Sequence, residues 1–145
     1  MGIPQKALIT GEEIKKLIPH REPMIMVDSF FGIDEGVSYS GLTVTEDNIF
    51  VENGHLSEAG VIEHIAQSAA AHAGFVSLAD NKPAALGFIG AVNKCKILTL
   101  PRLNDKLFTS VKIENELFGI MLIRCHVHVD GNLTSECMMK ISIQE

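Results

Sequence analysis

Ser57-Glu58-Ala59-Gly60-Val61-Ile62-Glu63-His64-Ile65-Ala66-Gln67-Ser68-Ala69-Ala70-Ala71-His72-Ala73-Gly74-Phe75-Val76-Ser77-Leu78 holds no proline and is dense in alanine. Ile62, Ala66, Ala69, Ala70, Ala73 and Val76 recur in it at three- and four-residue steps, the period of one helix face. The spacing predicts one long helix over about residues 57–79. Side chains as small as those of Ala66, Ala69, Ala70 and Ala73 let a neighbouring surface approach closely, so this helix is expected to be central, with a sheet wrapped around it.

Upstream, Thr10-Gly11-Glu12-Glu13 has the capping-box spacing and predicts a short helix over about residues 10–17, ended by Pro19. The apolar run Met24 to Ile33 and the alternating segment Val37 to Val44, joined by Asp34-Glu35-Gly36, read as a hairpin. Downstream of Asn81-Lys82-Pro83 the pattern predicts strands at Ala85 to Leu98, Leu107 to Glu114, Ile120 to Val129 and Leu133 to Ile143. Asp130-Gly131 between the last two is a tight-turn signal, because both residue types tolerate positive φ. Strands, one helix and then strands with short links spell an α+β fold with a mainly antiparallel sheet, in a single domain over residues 1–145.

The bulk properties narrow the function classes. A chain of 145 residues with 46% hydrophobic and 21% charged residues can bury one continuous core without metals or disulfides. No apolar stretch reaches the roughly 18 residues of a membrane span, and the start, MGIPQKALITGEE, lacks a basic segment followed by an apolar run. A cytoplasmic protein with no membrane partner is expected. Cys95, Cys125 and Cys137 are odd in number, sit in apolar runs and form no CxxC pair, so they read as buried, reduced thiols. The formal charge of −6 argues against nucleic acid. An acidic protein partner would meet the same repulsion unless Lys94, Lys96, Arg102 and Lys106 form a basic patch; ordinary solvated strand ends are the alternative.

Six histidines are the first place to look for chemistry. Alternation puts Arg124, His126, His128 and Asp130 on one strand face, a solvated one; His126 and His128 could start a metal site, but no third ligand is evident and none is expected. His72, far along the helix, reads as structural. The segment from Asn53 to Gln67 differs, gathering His55, Glu58, Glu63 and His64 at the start of an apolar helix. Free N–H groups and partial positive charge at a helix N-terminus suit a developing oxyanion. Glu63 and Gln67, four apart, share a face. Burial raises the pKa of a carboxyl group toward the range useful for proton donation. Glu63 either takes that role or faces solvent in the first turns, and spacing alone does not separate the two.

Three segments carry a resemblance that does. Ile18-Pro19-His20-Arg21-Glu22-Pro23-Met24-Ile25-Met26-Val27-Asp28, Glu63-His64-Ile65-Ala66-Gln67 and Gly87-Phe88-Ile89-Gly90-Ala91-Val92-Asn93-Lys94-Cys95-Lys96 stand in the order and spacing of the 3-hydroxyacyl-carrier-protein dehydratase family. The chain resembles that family over nearly its whole length. The resemblance implies a hot-dog fold, a homodimer or higher assembly with acyl tunnels at the subunit interface, and no cofactor. Its substrate would be a 3-hydroxyacyl thioester on acyl carrier protein or CoA, dehydrated to a trans-2-enoyl thioester in fatty-acid or polyene-type biosynthesis. It also implies a carboxylate that protonates the leaving hydroxyl, carried over to Glu63, and a histidine that removes the α-proton. Gln67 would order the site, N–H groups at Gly60 or Val61 would bind the thioester carbonyl, and Phe88 and Gly90 would line the substrate. Gly54-His55-Leu56-Ser57 matches only the first part of the family's histidine motif, and only eight residues separate His55 from Glu63. This shortened loop looks more like the dehydratases of aryl-polyene-type pigment clusters. His55 and His20 both remain candidates for the base. A hot-dog thioesterase using Glu63, or a non-catalytic acyl-binding subunit, are the alternatives.

Overall fold

The computed structural model describes residues 6–83 and 86–144. Strand β1 (Ile9–Thr10) leads into a 3-10 helix, Gly11–Lys16, followed by β2 (Ser29–Asp34), β3 (Val37–Thr43), β4 (Val51–Glu52) and β5 (His55–Leu56). Helix α1 (Glu58–Ala79) precedes β6 (Leu86–Ile97), β7 (Lys106–Leu117), β8 (Ile120–Val129) and β9 (Asn132–Gln144). Among the described residues the main sheet has seven strands in the order β1-β2-β3-β7-β8-β9-β6, every neighbouring pair antiparallel. Ala85, predicted to open β6, lies outside the described residues.

The elements form for identifiable reasons. Ser57 is extended, and its hydroxyl accepts the Gly60 N–H at 3.3 Å, capping α1. With 22 residues the helix is about 33 Å long, enough to cross the sheet. In β8 the alternation is strict: Met121, Ile123, Cys125 and Val127 are buried, while Arg124 faces solvent and pairs with Glu114 on β7. The turn into β9 has φ of 51° at Asp130 and 79° at Gly131, both in the left-handed region that this tight hairpin needs.

Two core clusters hold the helix. Val61, Ile65 and Ala69 pack onto the inner sheet face through Val111, Ile123 and Met139. On another side Ala70 and Ala71 meet Ile14, Leu17, Ile18 and Phe30, and the Phe30 and Phe75 rings lie 5.0 Å apart. The closest approach uses Gly74: a Cβ there would lie 1.8 Å from the Leu17 carbonyl oxygen.

Two expectations need correction. The N-terminal helix is a 3-10 turn without a capping box, since Gly11 has φ of 59° and Thr10 makes no side-chain cap; Glu13 pairs with Lys16 instead. Of the cysteines, Cys125 and Cys137 are buried across from each other on β8 and β9, but Cys95 is exposed because β6 is the sheet edge. Strand β3 alternates as expected, with Ser38 and Ser40 fully buried and Tyr39 stacked on Phe108 outside.

Gly74→Ala is expected to destabilise the fold by about 3 kcal/mol or more, because backbone, not a flexible side chain, must yield. Chemical denaturation checks this; a variant within about 1 kcal/mol of wild type would show that the Leu17 contact is slack.

Candidate active site

The segment joining the 3-10 helix to β2 carries His20 and lies along α1. Arg21 fastens its turn, donating to the carbonyl oxygens of Ile18 at 2.9 Å and His20 at 2.7 Å. The Glu22–Pro23 peptide is cis. Further on, Gln67, fully buried in α1, donates to the Met24 carbonyl at 2.7 Å and accepts the Met26 N–H at 2.6 Å. Its second amide hydrogen goes to Glu63 Oε2 at 2.8 Å. Both N–H groups and the carbonyl oxygen of Gln67 are thereby engaged, which orients the amide without ambiguity.

This clamp brings His20 to Glu63, with Nε2 of the imidazole 3.9 Å from Oε2 of the carboxyl group. Both side chains are about one-fifth exposed, 22% and 23%, and both open on a cavity of about 320 Å³. Ala66 and Ala70 form its helix wall; Gly87, Phe88, Ile89 and Ile141 form its sheet wall. Apart from the two titratable groups the lining is apolar. Burial pushes the His20 pKa below its ordinary value, with Glu63 acting against that and Arg21 with it, so the ring is neutral at pH 7. Its Nδ1 is buried and makes no hydrogen bond among the described residues.

His64, beside Glu63 in sequence, points elsewhere. It is fully buried, with Nδ1 2.6 Å from the Met26 carbonyl oxygen and Nε2 2.7 Å from Thr109 Oγ1. Burial drives its pKa down to about 4. His72 is also buried and pushed down by burial.

The other predicted residues divide. Phe88 lines the cavity. Gly90 does not; it falls at a bulge in β6, between Ile89 and Ala91, and Gly87 takes the lining position. The N–H groups of Gly60 and Val61 are already spent on Ser57, on its hydroxyl at 3.3 Å and its carbonyl at 3.0 Å, so the helix start presents neither to a thioester carbonyl. Gly60 has a packing role: a Cβ would meet Leu56 and Phe50 within 2.7 Å. His55 sits in the β4–β5 hairpin, its Nδ1 3.0 Å from the Asn53 carbonyl oxygen and its backbone bridged to Arg102, and it is not part of the cavity lining within this chain. Its short link explains this. Only Leu56 and Ser57 stand between His55 and the first helical residue, whereas Glu63 is more than a turn into α1. Sequence reasoning missed Ile141, which closes the cavity from β9, a strand distant in the chain.

Known proteins place this architecture. The chain is 26% identical over 141 residues to a 3-hydroxyacyl-[acyl-carrier-protein] dehydratase FabZ of Bacillus cytotoxicus, covering 95% of this chain and 98% of that one. It is 27% identical over 144 residues to the FabZ of Bacillus velezensis, covering 95% and 100%. The fold superposes on a chain of the dehydratase heterocomplex ApeI:P from Xenorhabdus doucetiae with a TM-score of 0.84, at 14% identity and 91% coverage of both chains. The model of the ApeP-like family, described as ApeP dehydratase, matches residues 12–144. An antiparallel sheet wrapped on one long helix, and a family match spanning nearly the whole chain, make this protein a hot-dog-fold member of the ApeP-like dehydratase family.

Proposed function

We propose that this protein removes water from a 3-hydroxyacyl thioester, carried on acyl carrier protein or CoA, to give the trans-2-enoyl thioester. The observation that carries the reading is the His20–Glu63 pair, 3.9 Å apart at the mouth of an apolar cavity. The thioester carbonyl acidifies the adjacent C–H. Neutral His20 accepts that proton, electrons move into the new Cα–Cβ double bond, and the β-hydroxyl leaves as water with a proton from Glu63. Gln67 occupies Oε2 of Glu63, which leaves Oε1 to carry the transferred proton. Ala66 and Ala70, one turn apart below Glu63, make room for the acyl chain.

Activity follows from the assignments. Glu63→Gln and His20→Ala are each expected to lower kcat by about 100-fold or more, while His55→Ala stays near wild type. Formation of the conjugated enoyl thioester, followed by absorbance, checks this. Turnover surviving His20→Ala but lost in His55→Ala would assign the base to His55. Release of free thiol from both 3-hydroxyacyl and saturated acyl thioesters, with no enoyl product, would make the protein a thioesterase.

The pH dependence has a defined sign. His20 must be neutral to accept the proton, and its pKa lies below the ordinary 6.5, so kcat/KM should hold as pH falls through 6.5 and decline only below it. A pH–rate profile whose acidic limb is centred at or above 6.5 would remove His20 from the base role.

The assembly we propose is a homodimer joined at β6. That strand ends the sheet, and Phe88, Ile89 and Val92 on it are exposed. An apolar, unpaired edge of this length invites a second strand, and pairing two copies there would roof the cavity that Phe88 and Ile89 line. Light scattering is expected to give twice the 15.8 kDa chain mass, and Val92→Lys to shift the protein toward monomer. Monomer for wild type, or assembly only with a different subunit, would refute the homodimer. The setting proposed is cytoplasmic: all three thiols are free, including the facing pair Cys125 and Cys137.

A further inference from the structure

We propose that His64 is a positioning residue for Glu63, acting through the Met26 peptide and the Gln67 amide. This rests on the reading above that Glu63 is the proton donor.

The connection is continuous and its polarity is determined at each step. The Met26 carbonyl oxygen can only accept, so the His64 nitrogen 2.6 Å away, Nδ1, carries the hydrogen. Buried and neutral, the ring has one hydrogen, so Nε2 is bare and accepts from the Thr109 hydroxyl at 2.7 Å. On the other side of the same residue, the Met26 N–H donates to Gln67 Oε1 at 2.6 Å. With its oxygen committed there, Gln67 must turn its NH2 group to the Met24 carbonyl and to Glu63 Oε2. The Met26 carbonyl thus sets the tautomer of His64, the Thr109 hydroxyl on β7 satisfies the nitrogen left bare, His64 fixes residue 26, and residue 26 sets the orientation of the amide that holds the carboxyl group.

Two features mark this as more than core packing. A histidine ring with no exposed surface is a costly way to fill space on a buried helix face. Its two nitrogens also both meet partners at hydrogen-bond distance, which no apolar residue at this position would do. Without the Nδ1 donor, the loop carrying Met24 and Met26 loses one of its three hydrogen bonds to α1, and Gln67 loses its fixed acceptor direction.

The conservative amides separate positioning from filling. Asparagine can place its NH2 near the Nδ1 site and keep the donor to Met26; glutamine reaches toward Thr109 and leaves that donor out. In His64→Gln, kcat is expected to fall on the order of tenfold to a hundredfold with KM within about twofold, while His64→Asn stays within about threefold of wild-type kcat. Equal loss of kcat in the two variants, or a loss in each that follows its loss of thermal stability, would overturn the proposal. A second measurement needs no variant: imidazole 15N shifts of the wild type should show the Nδ1–H tautomer of His64 down to pH 5, and an Nε2–H tautomer would overturn the proposal. Glu63→Gln separates the two levels. Turnover surviving in Glu63→Gln removes the acid assignment and the relay with it, whereas inactive Glu63→Gln beside wild-type kcat in His64→Gln removes the relay alone.

Discussion

Gln67 is the joint on which the site depends. One buried amide, placed a helical turn beyond Glu63, accepts from the Met26 N–H and donates to the Met24 carbonyl and to Glu63 Oε2. It therefore ties together a loop with no regular hydrogen-bonding ladder of its own and the helix that carries the carboxyl group. Leaving those loop N–H and C=O groups buried without partners would cost about 1–3 kcal/mol each, so the amide satisfies the loop and aligns the site in one arrangement. His64 adds a third tie at Met26, and Arg21 stiffens the turn before it.

The rest of the fold serves that joint. Gly74 lets α1 press against Leu17, which sets the height at which the 3-10 helix and the following loop pass over the helix. Ser38, Ser40 and Thr109 present a polar stretch of the inner sheet face where the core would otherwise be apolar, and Thr109 meets His64 there. Strand β6 brings Phe88 and Ile89 beside Glu63, yet it ends the sheet with one side unpaired. The His20–Glu63 pair, the apolar cavity and the outer edge of β6 thus occupy one side of the molecule.

Much of this was legible in the residues. The three- and four-residue period of Ile62 to Val76 announced α1, and Asp130-Gly131 announced the last hairpin, because both depend on local backbone geometry alone. The phase of β3 was less legible: Ser38 and Ser40 are buried at the same alternate positions as Leu42 and Val44, while the larger Tyr39 stacks on Phe108 outside. The capping-box spacing at Thr10 misled, since a left-handed Gly11 removes the geometry in which the cap would form.

By itself the sequence determined the helix, the strand order along the chain, and Glu63 and Gln67 on one helical face, because four-residue spacing acts within a single element. Only the tertiary structure decided which histidine of this chain meets the carboxyl group. His55 is nearer to Glu63 in sequence but is held in a hairpin against Asn53 and Arg102. His20 is forty-three residues away and reaches it because the Gln67 and His64 hydrogen bonds fold its loop onto α1. Such contacts join segments distant in the chain, so no local pattern encodes them.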